Sequence, residues 1–142
     1  MKTSARNQLT GVVSAIREGV VNCEVAVSLP SGHEMVAAIT MESCRNLGLQ
    51  PGSAVIALIK STSIVVATDL NHIKLSARNQ LQGLVSQVDR GAVNSVVTLD
   101  LGGGLNLTAG VTMQSAEQLD LHPGQNALAV FKAGSVILGV LA

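Results

Sequence analysis

Apolar residues in this chain occur in short runs rich in β-branched side chains. In the first half these runs cover residues 20–29, 35–39, 55–59 and 64–67. β-Branched side chains favour strands, and runs this short between turn signals are typical of strands rather than helices. Turns containing glycine and proline separate them, as at Pro30-Ser31-Gly32 and Gln50-Pro51-Gly52. The pattern therefore predicts about five strands in each half of the chain.

One segment departs from the strand pattern. Residues 40–49 contain no β-branched run after Thr40. Threonine is a favourable N-cap, and Gly48 suits the C-terminal end of a helix. The segment therefore predicts one short helix, placed late among the strands. Five short strands with one late helix are typical of a small OB-like barrel, although the strand pattern alone leaves a β-sandwich nearly as favoured.

The pattern occurs twice. The hexapeptide SARNQL at residues 4–9 recurs at residues 76–81, and residues 4–70 align without a gap onto residues 76–142. We therefore predict an all-β protein made of two tandem OB-like five-stranded β-barrels, each with one short helix. The first domain would span residues 1–70 and the second residues 74–142. The linker is short, so the barrels are expected to sit close together.

Composition argues against several classes of partner. The chain has 9 basic and 9 acidic residues, a formal net charge of zero, and only 13% charged residues. No long-range field would attract nucleic acid or an anionic membrane surface. With one Phe and no Trp or Tyr, the chain lacks platforms for stacking single-stranded bases. No stretch approaches the roughly 18 apolar residues of a membrane span, and no apolar leader follows Met1, so we expect a soluble cytoplasmic protein.

Each repeat is small for an independent domain. A unit of about 70 residues usually needs a metal, disulfides or partner subunits for stability. Cys23 and Cys44 both lie in the first repeat, and Ser95 and Ala116 replace them in the second. This asymmetry favours reduced core thiols over a disulfide framework or a ligand role. Association between subunits is therefore the expected source of further stability.

No catalytic apparatus is visible in the sequence. The three histidines, at positions 33, 72 and 122, fall in predicted turns or the linker, and none is matched in the other repeat. No pair of carboxylates survives the repetition, and no Cys or His spacing suits zinc. The glycines at 102–104 lack the Lys-Ser/Thr continuation of a phosphate loop. The sequence therefore predicts a protein that is not an enzyme.

A set of hydrogen-bond donors is instead repeated. Its members are Ser4, Arg6, Asn7, Thr40, Ser43 and Lys60, each with an identical residue in the second repeat. Hydroxyls, amide and cationic nitrogens, and the N–H groups at a helix N-terminus are what a small oxyanion requires. Each residue singly also has a structural explanation, such as a helix cap or a solvated charge. The repetition of the whole set favours an oxyanion site.

The repeated segments resemble a known family. SARNQL, followed by GVVNCEV or GAVNSVV, then by ITMES or VTMQS, and by IK or FK before the last strand, is similar to the Mop domain of the molbindins. The resemblance covers essentially the whole chain. It implies barrels of the Mop/TOBE type and binding of molybdate, and also tungstate, in a cytoplasmic protein for molybdenum storage or homeostasis. Molybdenum would be bound as molybdate, with no catalytic cofactor and no free metal cation.

The resemblance also implies the site residues and the assembly. The principal oxyanion-binding residues would be Ser4, Ala5, Arg6, Thr40, Ser43, Lys60 and Ser61, and in the second repeat Ser76, Ala77, Arg78, Thr112, Ser115, Lys132 and Ala133. A secondary set near the assembly axis would be Val20, Val21, Asn22, Ala92, Val93 and Asn94. Ala133 lacks the hydroxyl of Ser61, so the repeats need not bind equally. The implied assembly is a homotrimer with the principal sites between domains of different chains.

Two other functions remain open at this point. OB-like barrels can bind oligonucleotides, which would require a basic groove and stacking aromatic side chains. A purely structural oligomer whose donors are fortuitous is the other alternative. We expect neither a nucleic acid nor a membrane partner.

Overall fold

The computed structural model describes residues 2–141. The first repeat contains strands β1 (Asn7–Glu18), β2 (Asn22–Ser28), β3 (Glu34–Thr40), β4 (Ala54–Ile59) and β5 (Val65–Ala67), with helix α1 (Met41–Leu47). The second contains β6 (Asn79–Arg90), β7 (Asn94–Gly102), β8 (Leu105–Thr112), β9 (Asn126–Phe131) and β10 (Ile137–Gly139), with helix α2 (Met113–Gln118). Single 3₁₀ turns at Ser61–Ser63 and Ala133–Ser135 precede the last strand of each repeat. The predicted all-β class, with five strands and one short helix per repeat, is confirmed.

The two sheets exchange their last strands. The first sheet has the order β10-β4-β1-β2-β3, and the second has the order β5-β9-β6-β7-β8. Ile137 of β10 lies opposite Leu58 of β4, while Val65 of β5 lies opposite Val130 of β9. Each repeat therefore completes the sheet of the other. The boundaries predicted at residues 70 and 74 divide the repeats along the sequence, whereas each sheet draws strands from both sides of them.

Matching local signals form the two helices. The Thr40 hydroxyl accepts a hydrogen bond from the Ser43 backbone N–H at 3.0 Å, and the Thr112 hydroxyl accepts one from the Ser115 N–H at 3.1 Å. Gly48 ends α1 in the left-handed conformation with φ of 63°. Its counterpart after α2 is Asp120, with φ of 50°. The N-caps predicted from the sequence thus start both helices, although only the first helix ends at a glycine.

The core is almost entirely aliphatic. Alternate residues of the central strands, such as Val25, Val27 and their counterparts Val97 and Leu99, are completely buried. Gly11 lies where β1 passes close to β2, and a Cβ there would lie 2.5 Å from Val27 Cγ1. A Cβ at the equivalent glycine of β6 would lie 2.7 Å from the Asp100 carbonyl oxygen. Close approach of the strands therefore explains why glycine occupies this position in both repeats.

Two buried asparagines link the repeats. Asn7 Nδ2 donates to the Thr108 carbonyl at 2.8 Å, and the Thr108 N–H donates to Asn7 Oδ1 at 2.7 Å. Asn79 makes the same pair of bonds with the backbone of Val36, both at 2.8 Å. Asn7 is 2% exposed and Asn79 is 1% exposed. The inclusion of Asn7 among the oxyanion donors is therefore wrong, because its amide is already used by the backbone of the other repeat.

Asn79→Ala is expected to lower the free energy of unfolding by about 2 to 5 kcal/mol. The substitution leaves the half-buried N–H and carbonyl of Val36 without their side-chain partners, and each unsatisfied group costs about 1 to 3 kcal/mol. Urea denaturation followed by far-ultraviolet circular dichroism measures the change, since the chain has no Trp or Tyr. An exposed residue of the same strand provides the control: Gln82→Ala should change stability by less than about 0.5 kcal/mol. Equal effects of the two substitutions would contradict the structural role of Asn79.

Candidate oxyanion site

The SAR segment of the first repeat lines a cavity of about 460 Å³. Asn7 lies opposite Ile59 in the antiparallel pair of β1 and β4, so the residues before β1 and after β4 lie side by side. The residues that line the cavity include Ser4, Ala5, Arg6, Lys60 and Ser61, together with Thr3, Thr62, Ser135 and Ile137. Strand pairing thus brings most of the predicted first set together within one chain. The exchanged strand β10 and the turn before it add the last two residues.

Side chains within the motif shape the segment before β1. Gln8 Nε2 donates to the Ala5 carbonyl at 3.4 Å, and Gln80 Nε2 donates to the Ala77 carbonyl at 2.9 Å. Each glutamine therefore engages a carbonyl oxygen whose partial negative charge would otherwise repel an anion. The Ala5 N–H donates to Thr3 Oγ1 at 3.2 Å. These local bonds give the glutamine of SARNQL a structural role.

Thr40 and Ser43 lie in a neighbouring cavity of about 460 Å³. Asn22 and residues 136–138 of the exchanged segment line it as well. The Thr40 hydroxyl donates to Ser43 Oγ at 2.9 Å while it caps α1, so the Ser43 hydroxyl hydrogen remains free to reach an acceptor. Ile137 lines both cavities. A single chain therefore does not place Thr40 and Ser43 in the cavity of Ser4 and Arg6.

The predicted secondary set lies at the turns that connect the first two strands of each repeat. Val20 is 95% exposed, Val21 is 69% exposed, and Val93 is 74% exposed. Ala92, Asn22 and Asn94 are exposed beside them. The Met41 N–H donates to the Val21 carbonyl at 2.8 Å, which ties this turn to the start of α1. The turns thus lie next to the helix caps and present apolar side chains to solvent.

The second repeat has the same strand pairing, but of its predicted residues only Arg78 and Ala133 line the cavity found there. Ser76, Ala77 and Arg78 precede β6, and Lys132 follows β9. Because Asn79 lies opposite Phe131, these two segments lie side by side. Arg78 shares a cavity of about 520 Å³ with Ala133, Arg17 and Glu24, and its Nη1 donates to Glu24 Oε2. Thr112 donates to Ser115 Oγ at 2.8 Å, as in the first repeat. Two further differences are the missing hydroxyl at Ala133 and the carboxylate beside Arg78.

Where the first repeat has Ser61 the second has Ala133, and the strand residue that each of them faces differs as well. The 3₁₀ turn containing Ser61 packs on β8, where a Cβ at Gly110 would lie 3.4 Å from Ser61 Oγ. Ala133 lines a cavity together with Ala38, the counterpart of Gly110. The larger side chain in the turn therefore faces the smaller residue in the strand. Sequence comparison of the repeats showed the loss of the hydroxyl but not this compensation.

Sequence reasoning missed three residues at these cavities: Thr3, Ser135 and Glu24. Ser135 is identical to its counterpart Ser63 in the first repeat, and this identity is the sequence signal that could have identified it as a cavity residue. Glu24 faces Val96 in the alignment, so it had no counterpart to mark it. Within residues 2–141 no three His, Cys, Asp or Glu side chains lie close enough to hold a metal ion. In the same range no helix has the length and hydropathy needed to cross a bilayer.

The two cysteines are free thiols packed in the core of the first repeat. Cys23 is 2% exposed and Cys44 is 5% exposed. Burial and, to a smaller extent, the neighbouring Cys44 thiol together raise the pKa of the Cys23 thiol to about 11. Cys23 is therefore protonated and a poor nucleophile at neutral pH.

The protein should lose stability as the pH rises from about 9 to about 11. In this window the Cys23 thiol loses its proton in the unfolded chain but keeps it in the folded protein. Rising pH therefore stabilises the unfolded state alone. The expected loss is about 2 to 3 kcal/mol. Urea denaturation at pH 8 and pH 10.5 checks it, with Cys23→Ala as the control. An identical loss in Cys23→Ala would show that another group causes the pH dependence.

The fold and the site together define a class of proteins: small OB-like barrels in tandem that present hydroxyls and cations around shallow cavities. A family model described as the TOBE domain matches residues 3–66 and residues 75–138. Because the two matches cover most of the chain, the protein belongs to the TOBE domain family. The resemblance to Mop domains is thereby confirmed.

Individual relatives agree with this assignment. One similar solved structure is that of the cytoplasmic molybdate-binding protein ModG with molybdate bound. Its sequence is 47% identical and its TM-score is 0.96, and the match covers 99% of this chain and 100% of the ModG chain. The molybdenum transport protein ModE of Herbaspirillum seropedicae is 49% identical over 140 residues, and the molybdenum-pterin-binding protein MopA of Rhodobacter capsulatus is 42% identical over 140 residues. Each match covers 99% of this chain but only 52% and 53% of those proteins. The chain thus spans about half the length of these curated relatives.

Proposed function

We propose that this protein binds molybdate reversibly, accepts tungstate as well, and serves molybdenum storage or homeostasis in the cytoplasm. The observation that carries the proposal is the cavity where strand pairing unites Ser4, Ala5 and Arg6 with Lys60 and Ser61. Two cationic side chains and several hydroxyls line it, and no carboxylate is among its lining residues. Such a set suits a tetrahedral dianion, because each oxygen requires donors and each carboxylate would repel it.

Selection against sulfate would depend on size. Molybdate and sulfate share charge and tetrahedral shape, so neither net charge nor symmetry separates them. A larger anion can reach donors that a smaller one leaves unsatisfied, and unsatisfied donors cost binding free energy. The open cavity offers donors on several elements, namely the segment before β1, the residues after β4 and the turn before β10.

The protein would act as a binding module without catalysis. The solved relative with molybdate bound is described as a molybdate-binding protein, and the curated relatives as transport and pterin-binding proteins. The oligonucleotide alternative has no comparable support, because the chain is neutral and nearly free of aromatic side chains. We infer binding to neither nucleic acid nor membranes.

We further propose that the protein is a homotrimer with the principal sites completed between chains. Exposed apolar side chains recur at equivalent positions: Val12 and Leu84, Val21 and Val93, and Val65 and Ile137. Their recurrence at equivalent positions supports the proposal that they are covered in an assembly. Thr40 and Ser43 lie outside the cavity of Arg6 within one chain, so a neighbouring chain could bring such a pair to that cavity.

Calorimetric titration should show that molybdate and tungstate bind in the presence of excess sulfate. The Lys60→Ala, Lys132→Ala double variant should bind molybdate about ten- to a hundredfold more weakly, since a hydrogen bond to a charged group contributes about 1.5 to 3 kcal/mol. Lys74→Ala in the exposed linker is the matched control and should leave the affinity unchanged. Equal competition by sulfate would refute the proposed function. Unchanged affinity in the double variant would remove the lysines from the site.

Sedimentation equilibrium should give the mass of a trimer, and molybdate should strengthen the association. Val21→Asp combined with Val93→Asp should dissociate it, because charged groups would be buried at the interface. Lys74→Ala, in the exposed linker, is a control that should remain trimeric. A monomer that binds molybdate with full affinity at nanomolar concentration would show that the sites are complete within one chain.

A further inference from the structure

The arginines of the two SAR segments have different electrostatic surroundings. Arg78 is paired with Glu24, which lies on β2 of the other repeat. The residue equivalent to Glu24 in the second repeat is Val96, so no such carboxylate is available to Arg6. Across the described part of the chain Arg6 forms no ion pair. The two repeats therefore differ in the surroundings of the arginine, which is the charged residue of each SAR segment.

The ion pair is accessible and easily opened. The side chain of Arg78 is 53% exposed and that of Glu24 is 34% exposed. Exposed ion pairs contribute little to stability, because water and salt screen them. The pair cannot therefore be explained as an important support of the fold. Its position matters more, since both residues line the cavity that also contains Ala133.

A carboxylate at this place has two effects on an approaching dianion. It occupies donor hydrogens of the Arg78 guanidinium, and its negative charge repels the anion at short range. The anion must displace Glu24 before it can reach Arg78. In the first repeat the equivalent step is absent, because Val96 neither accepts a hydrogen bond nor carries charge.

The structure also provides an alternative partner for the displaced carboxylate. Arg17 lies directly opposite Glu24 in the pairing of β1 and β2, and it lines the same cavity. Residues opposite each other on neighbouring strands have side chains on the same face of the sheet. Glu24 can therefore turn from Arg78 to Arg17 without losing a cationic partner. The counterpart of Arg17 is Asp89, so only one such arrangement exists in the two repeats.

We propose that Glu24 is a built-in competitor that lowers the anion affinity of the Arg78 site relative to the Arg6 site. This inference rests on the proposed function, since it requires the arginines to face the bound oxyanion. The Arg6 site fills first, and the Arg78 site fills at higher anion concentration as Glu24 moves to Arg17. Two affinities extend the concentration range over which one protein takes up and releases the anion.

Calorimetric titration of the full-length protein with molybdate at low ionic strength tests this inference. Glu24→Val copies the second repeat and Glu24→Gln keeps the size of the side chain. Both should strengthen the weaker class of sites by about tenfold and leave the stronger class unchanged. The reciprocal variant Val96→Glu should weaken the stronger class. Glu18→Gln is the matched control, because Glu18 lines the same cavity but forms no ion pair with Arg78.

The possible results separate the inference from the proposed function. Wild-type protein that binds no molybdate would refute the proposed function and the inference with it. Wild-type protein that binds molybdate, with affinity lowered by Arg78→Ala but unchanged by either Glu24 variant, would overturn the inference alone. An equal gain in Glu18→Gln would also overturn it, because the effect would then come from net charge. Raising the salt concentration should reduce the difference between wild type and Glu24→Val, since screening weakens exposed charge interactions.

Discussion

The reciprocal exchange of the last strands is the interaction on which the rest of this structure depends. Without β10 the first sheet would leave one side of β4 unpaired, and without β5 the second would leave one side of β9 unpaired. Unpaired backbone groups at a sheet edge are a liability, and each repeat satisfies those of the other. Asn7 and Asn79 strengthen the same link with four side-chain bonds to the opposite repeat. Two repeats that are each small for an independent domain thereby complete each other's sheets.

The candidate sites depend both on strand pairing within a repeat and on this exchange. The antiparallel pairing of β1 with β4 places the segment before one strand beside the segment after the other. Ser135 and Ile137 then reach the first cavity because β10 belongs to the first sheet. Glu24 lies beside Arg78 because the start of β6 packs against the first sheet. The three cavities described above are each lined by residues from both repeats.

Local patterns predicted much of the fold. The strands, the helix cap at Thr40 and the left-handed Gly48 follow from β-branched runs and from capping chemistry, both of which act between near neighbours. The exchange could not be predicted in this way, because β5 and β10 occupy equivalent positions in the repeats and fit either sheet equally well. Which sheet they join is decided by the connections and by packing across the whole chain.

The candidate site shows the same division. The repeated donors pointed to Ser4, Arg6 and Lys60, which strand pairing brings together. Asn7 belongs to the same repeated set, but sequence does not reveal that its side chain is buried against the other repeat. Glu24 lies 54 residues before Arg78, and nothing in the local pattern connects the two. Repetition therefore identifies what both halves share, whereas the features that distinguish the halves require the structure.

Anomalous diffraction from crystals soaked in tungstate provides the most direct test of the central claim that the repeated donors form the oxyanion site. Data collected above the tungsten absorption edge locate the anion without reference to the protein coordinates. We expect a strong peak within hydrogen-bonding distance of the segment formed by Ser4, Ala5 and Arg6 and of Lys60 or Ser61, with a weaker peak near Arg78. Peaks confined to exposed lysines such as Lys2 and Lys74, or no peak at either SAR segment, would contradict the claim.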